Sequence, residues 1–138
     1  MVELYPVGIT FSCFDMLHAG HILMLNEAKM QCEKLYVGLQ TDPTIDRPEK
    51  NKPVQSLTER YIQVAGVRFV DAIIPYQTEA DLIEILTAFS PIARFIGADY
   101  LGKDFTGKDL PYVTTIYNSR DHDYSTTALR KKIQNNPI

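Results

Sequence analysis

Phe14-Asp15-Met16-Leu17-His18-Ala19-Gly20-His21 places two of the chain's three histidines three residues apart, where a strand gives way to a helix. Upstream, Val7-Gly8-Ile9-Thr10-Phe11 is short, β-branched and aromatic. Downstream, Ile22-Leu23-Met24-Leu25, Ala28 and Met30 continue as an apolar helical stripe. The histidines therefore fall in the first helical turn, where unpaired backbone N–H groups and the positive end of the helix dipole favour an anion. Gly20 lacks a Cβ, so a bulky phosphate or base can approach the backbone. At this spacing His18 and His21 project from one helix face, and each can donate a hydrogen bond to the same ligand without acting as a base. Two plainer readings stand beside this one: a half-exposed helix cap, and a metal site. The metal reading lacks a Cys or third His at ligand spacing, since His122 is far off in sequence.

Outward from this junction, strand and helix patterns alternate. Residues 34–40 read as a buried parallel strand closed by Thr41-Asp42-Pro43. Residues 57–69 read as an amphipathic helix, with Ser56 as N-cap and Glu59 completing a capping box. A strand over 72–75, a helix over 79–89, a strand over 92–96, a strand over 113–117 and a helix over 128–133 follow, with a disordered tail expected over 134–138. This alternation predicts an α/β fold, a single-domain Rossmann-like doubly wound parallel sheet with ligands outside the carboxyl ends of its strands.

Composition agrees. A chain of 138 residues, 45% apolar, suits one well-buried domain over residues 1–138. A formal net charge of −3 argues against a nucleic-acid partner. No apolar run approaches the roughly 20 residues of a membrane span, and no basic stretch precedes a hydrophobic core at the N-terminus. A cytoplasmic protein without a membrane partner is expected. Cys13 and Cys32 are then expected as thiols, with Cys32 in helix or core packing.

The histidine stretch resembles the H-x-G-H signature of the nucleotidyltransferase (cytidylyltransferase) family that includes glycerol-3-phosphate cytidylyltransferase, whose pattern reads roughly G-T-F-D-x-x-H-x-G-H. Phe14, Asp15, His18, Gly20 and His21 match it, while Ser12 and Cys13 stand where Gly and Thr are usual. Cys13 is similar to what the sugar-phosphate branch of the family carries. A closing motif of the form R-T-x-x-I-S-T-T is matched by Arg120, Ser125, Thr126 and Thr127, with Asp121 and Tyr124 departing from it. Read for itself, this second block is an N-cap, Ser125 or Thr126, opening a helix that can also bind an anion. Glu59-Arg60, Val67-Arg68-Phe69-Val70-Asp71 and Ile96-Gly97-Ala98-Asp99 follow the family's order, so the resemblance spans nearly the whole chain.

The resemblance implies catalytic roles for His18, His21, Arg120 and a loop lysine, Lys50 or Lys52, with Arg47 a third candidate. It implies nucleotide contacts from Cys13, Phe14, Asp15, Gly20, Arg68, Gly97, Asp99, Ser125, Thr126 and Thr127. On the residues alone, loop 46–53 is equally a solvated connection, Arg68 equally an ion-pair partner of Asp71, and Asp15 either a metal ligand or a brace for the loop. No residue is assigned as a dedicated metal ligand. Mg²⁺ is implied with the triphosphate, held mostly by phosphate oxygens and water.

The reaction implied is in-line attack of an acceptor phosphate on the α-phosphorus of a nucleoside triphosphate, catalysed by positioning and charge stabilisation. The leading expectation is CTP with a small alcohol phosphate, most of all glycerol 3-phosphate, giving CDP-glycerol and pyrophosphate. The alternatives are an adenylyltransferase on a sugar phosphate or flavin precursor, and a silent nucleotide-binding module. Against glycerol 3-phosphate, the 79–89 helix offers Glu79, Asp81 and Glu84 and no lysine. Tyr100, Lys103, Asp104, Lys108 and Asp109 are candidates for shaping the acceptor pocket, or a charged surface loop. A homodimer is expected from the resemblance alone.

Overall fold

The first βα junction sits where the sequence puts it: β1 (Tyr5–Ser12) leads through residues 13–18 into α1 (Ala19–Lys29). The computed structural model describes residues 3–119 and 124–135. After α1 come β2 (Cys32–Gln40), α2 (Leu57–Ala65), β3 (Ala72–Tyr76), α3 (Glu79–Phe89), β4 (Ile92–Gly97), β5 (Val113–Asn118) and α4 (Thr126–Asn135), with 3₁₀ turns at Pro43–Ile45 and Ala98–Tyr100.

The five strands form one parallel sheet in the order β3-β2-β1-β4-β5. The chain builds outward from β1 in one direction and then returns to pair β4 on its other side. The carboxyl ends of β1 and β4 therefore flank the point where strand order reverses, which is where an open α/β sheet binds ligands. Pro75 is accommodated because β3 is an edge strand.

Period-two alternation divides the core between the sheet's faces. Leu35, Val37, Leu39, Ala93 and Phe95 pack with Leu25 and Ala28 of α1 and Val64 of α2. Ile9 and Ile92 pack on the other face with Leu82 and Leu86 of α3. Two glycines let large rings lie flat on the sheet: a Cβ on Gly8 would collide with Phe95, and one on Gly38 with Phe11.

Three helix boundaries differ from the sequence reading. The second helix stops at Ala65, capped by Gly66, rather than running to residue 69; Val67 then turns inward, 8% exposed, to join the core. The last helix starts at Thr126 because the Ser125 hydroxyl accepts the Ala128 N–H at 3.0 Å. It continues through Gln134 and Asn135, two residues expected in a disordered tail; residues 136–138 lie outside the described residues. Cys32 opens β2, is 2% exposed, and belongs to the core.

Candidate active site

At the carboxyl ends of β1 and β4 lies a cleft of about 650 Å³, within the range of small-molecule sites. His18 and His21 line it, and the helix they open fixes their tautomers. His18 is the N-cap of α1: its Nδ1 accepts the Gly20 N–H at 3.0 Å, while the His21 Nδ1 accepts the His18 N–H at 3.1 Å. An Nδ1 that accepts has no proton, so each neutral ring carries its proton on Nε2 and is a donor there. The rings stack with centroids 3.9 Å apart. Burial, and then the neighbouring His18, push the His21 pKa from 6.5 down to about 4, so His21 is neutral at physiological pH.

The loop between β1 and α1 is held rigidly. Phe14 and Met16 both adopt positive φ, 50° and 49°, which costs a non-glycine residue conformational energy and needs surrounding support. Phe14 supplies part of that support: it is fully buried, and its ring lies 5.3 Å from that of His21. The Met16 N–H donates to Gln55 Oε1 at 2.7 Å. Asp15 accepts the backbone N–H groups of Val54 and Gln55 at 2.8 and 3.0 Å and pairs with Arg130 of α4 at 3.3 Å. Of the two readings offered for Asp15, loop bracing is the one its contacts display.

Cys13 lines the cleft beside the histidines, and burial pushes its thiol up to about 11. It is therefore uncharged at neutral pH, adding no negative charge beside a phosphate and no thiolate nucleophile.

Lys50 and Lys52, both exposed, bring loop 46–53 over the same cleft. Lys52 makes only a loose pair with Asp42 at 3.8 Å. Arg47, the third candidate, is tied to Glu79 at 2.7 Å, and the Asp46 carboxylate accepts the Glu79 N–H at 2.6 Å. Gly20, Gly97, Asp99, Ser125 and Thr127 also border the cleft. Tyr100 and Asp104 border it too, with Lys108 pairing Asp104 at 3.8 Å.

Arg68 is not brought to this cleft. Its guanidinium lies over the Phe69 ring at 5.0 Å, beside an apolar groove formed by Leu17, Ile22, Leu23, Ile62 and Val67. Nor does it pair with Asp71, which takes Lys29 at 2.7 Å. The early end of α2 explains this, since residues 67–69 no longer continue the helix. Arg120 lies outside the described residues, and so does the Thr126 side chain.

Sequence reasoning assigned no role to three arginines that build the site. Arg60, 2% exposed, donates to the carbonyls of Cys13, Gln40, Thr41 and Gln55 at 3.0, 2.6, 2.6 and 3.2 Å, joining the ends of β1 and β2 to the segment before α2. Arg130 anchors α4 through Asp15. Arg94, 5% exposed, sits in β4 among apolar neighbours. For Arg60 and Arg94 a signal existed: each is a charged residue at a position whose helical or strand period is otherwise buried. Asn118, 1% exposed at the end of β5, also borders the cleft with both side-chain polar atoms lacking a partner among the described residues.

Residues 9–132 match the cytidylyltransferase-like family model. The chain belongs to this family. Among curated proteins, this cytidylyltransferase-like chain is 38% identical over 95 residues to the bifunctional protein HldE of Granulibacter bethesdensis and 39% identical over 95 residues to that of a Caulobacter species. Each match covers 68% of the chain but 19% of the relative, so the chain spans about a fifth of the length of these proteins. Its fold is similar to that of a lipopolysaccharide core biosynthesis protein from Thermoplasma volcanium, with TM-score 0.60 and 22% identity over 94% of this chain and 87% of that one. A bifunctional NMN adenylyltransferase/ADP ribose pyrophosphatase from Francisella tularensis has the same TM-score, at 17% identity over 96% of this chain and 43% of that one. No helix among the described residues is long and apolar enough to cross a membrane.

Proposed function

We propose that this cytidylyltransferase-like chain transfers a nucleotidyl group from a nucleoside triphosphate, ATP by preference, to the phosphate of a small sugar phosphate. The observation that carries the reaction is the pair of neutral imidazoles at the start of α1, each with its proton on Nε2, in a cleft overhung by Lys50 and Lys52. Fixed donors of this kind stabilise charge growing on phosphate oxygens without reorganising during the reaction. An oxygen of the acceptor phosphate forms a bond to the α-phosphorus as the bond from that phosphorus to the bridging oxygen breaks, and pyrophosphate departs with the electron pair. The acceptor is already ionised, so no base is required, and positioning supplies much of the rate. The loop lysines neutralise the leaving pyrophosphate, and Arg120 joins them on the strength of the family motif.

Mg²⁺ accompanies the triphosphate. Asp15 fits a bracing role better than a coordinating one, because two backbone N–H groups and Arg130 already occupy its oxygens. Phosphate oxygens and water then provide most of the ion's ligands, an arrangement Mg²⁺ favours.

Three features support the sugar-phosphate reading over CTP with glycerol 3-phosphate. Cys13 is similar to the sugar-phosphate branch. The relatives named above are HldE proteins. The cleft presents Glu79, Asp99 and Asp104, carboxylates that suit a polyhydroxylated acceptor. Arg120 and the Ser125-Thr126-Thr127 tail, by their resemblance to the cytidylyltransferase motif, support CTP and keep it as the second reading.

Pyrophosphate release with Mg²⁺ tests this, pairing ATP and CTP with a panel of sugar phosphates and glycerol 3-phosphate. Release with ATP and a sugar phosphate is expected, and His18→Ala or His21→Ala should lower kcat by about 100-fold. Release with CTP and glycerol 3-phosphate alone would move the chain to the second reading. Nucleotide binding without turnover across the panel would make it a silent module.

A further inference from the structure

Arg94 is a cation where the fold calls for an apolar residue. It follows Ile92 by two positions on β4, and Ile9 is its register partner on β1, so it emerges on the face that α3 covers. Its guanidinium lies 5.3 Å from the Phe11 ring and 5.1 Å from that of Phe105. Nη1 donates to the Thr106 carbonyl, while Nε has no hydrogen-bond partner among the described residues. Arginine does not shed its charge at accessible pH, and a charge removed from water this completely is costly unless an opposite charge compensates it.

Among the described residues no carboxylate forms an ion pair with it. The groups acting on it electrostatically are Tyr76, Glu79, Tyr100 and Tyr117, and Glu79 is already held by Arg47 at 2.7 Å. Arg47 also donates to the Thr106 hydroxyl at 3.3 Å, so two guanidiniums meet at one threonine with a single carboxylate between them. Arg94, Arg47, Glu79 and Thr106 all border the cleft that holds His18 and His21. An isolated structural arginine would be expected to acquire a carboxylate partner; Arg60, the other deeply buried arginine among the described residues, instead satisfies its nitrogens with four carbonyl contacts. Arg94 has neither solution.

We propose that Arg94 is the anion receptor of the acceptor half of the cleft, and that the group it binds is the phosphate of the acceptor substrate. This rests on the nucleotidyl-transfer reading, with the triphosphate on the histidine side and the acceptor on the α3 side. Phe11 and Phe105 hold the guanidinium in place, so little side-chain freedom is lost when a phosphate arrives, and the planar fork can contact two phosphate oxygens at once.

Inorganic phosphate is the probe. Its binding is measured by equilibrium dialysis, with the triphosphate site first saturated by a non-hydrolysable ATP analogue, in wild type, Arg94→Gln, Arg94→Lys and Arg68→Gln. Wild type is expected to retain a phosphate site under these conditions. Arg94→Gln should weaken it at least about tenfold, as loss of a charge-assisted contact does; Arg94→Lys should recover part of the loss, and Arg68→Gln, which removes a cation outside the cleft, should leave it unchanged. Near-UV circular dichroism checks that the variants keep their packing. Equal phosphate binding by wild type and a folded Arg94→Gln variant would overturn the assignment, as would an equal loss in Arg68→Gln. Failure of the analogue to bind would instead count against nucleotidyl transfer. The Arg94 comparison is then made in the His18→Ala background, where phosphate binding that still requires Arg94 supports the receptor and binding indifferent to Arg94 refutes it.

Discussion

His21 does two jobs with one ring, and its pH behaviour follows from them. Its Nδ1 accepts the His18 N–H, and it is packed against Phe14 and His18, with Asp15 the nearby carboxylate that opposes the lowering of its pKa. Protonating it breaks the cap and places a charge in a buried, already crowded site. Its pKa is depressed, from 6.5 to about 4, so its contribution to stability is complete above pH 6.5. As pH falls from there, the unfolded chain takes up a proton that the folded chain refuses, and the contribution is lost by about pH 4. The loss is on the order of 3 kcal/mol. Urea unfolding at pH 7.5 and pH 4.5 reads it directly: wild type should lose more stability between the two than His21→Gln does. Equal losses would mean that the ring is solvated and not the cap described.

At the scale of elements, the first βα unit is legible because its signals agree: an apolar strand, a capping residue and a helical stripe lie within 25 residues and need no distant partner. The capping box at Ser56 and Glu59 and the span of α3 are legible for the same reason. The end of α2 is not, because Val67 and Phe69 keep an apolar spacing although the helix ends at Gly66, in ordinary right-handed backbone at φ −79°, and Val67 is buried by another route. Arg60 is illegible in a different way: its position on α2 is plain, but its four acceptors come from residues 13, 40, 41 and 55, which only the tertiary fold assembles. Arg60→Ala should leave those carbonyls without a donor and open a cavity at the base of the site. The expected cost is about 3–5 kcal/mol, read as a lower urea midpoint at an unchanged m-value. Arg60→Lys, with one ammonium in place of the fork, should recover only part of it. A cost within about 0.5 kcal/mol would show that water replaces the guanidinium.

For the whole molecule, the functional cleft is also where the segments of the fold are tied together. Asp15 bridges the first βα loop to residues 54 and 55 and to α4 through Arg130, and Arg47 bridges loop 46–53 to α3 through Glu79. None of these ties rests on apolar burial; they consist of charges and hydrogen bonds at the rim of the sheet. A triphosphate bound here would touch α1, loop 46–53 and the start of α4 together and close them on a common anion. Binding to the folded state alone adds RT ln(1 + [L]/Kd), about 2.7 kcal/mol at one hundred times Kd. ATP with Mg²⁺ should therefore raise the unfolding midpoint of wild type by about 9 °C, the shift such an increment produces in a domain of this size. Limited proteolysis sharpens the test, because Lys50, followed by Asn51, makes loop 46–53 a trypsin substrate, whereas Arg47 and Lys52 precede prolines. Nucleotide should slow cleavage after Lys50 in wild type and much less in His18→Ala, where the triphosphate loses a donor at the start of α1. Slowed cleavage without a thermal shift would mean that the ligand covers the loop without joining it to the rest of the fold.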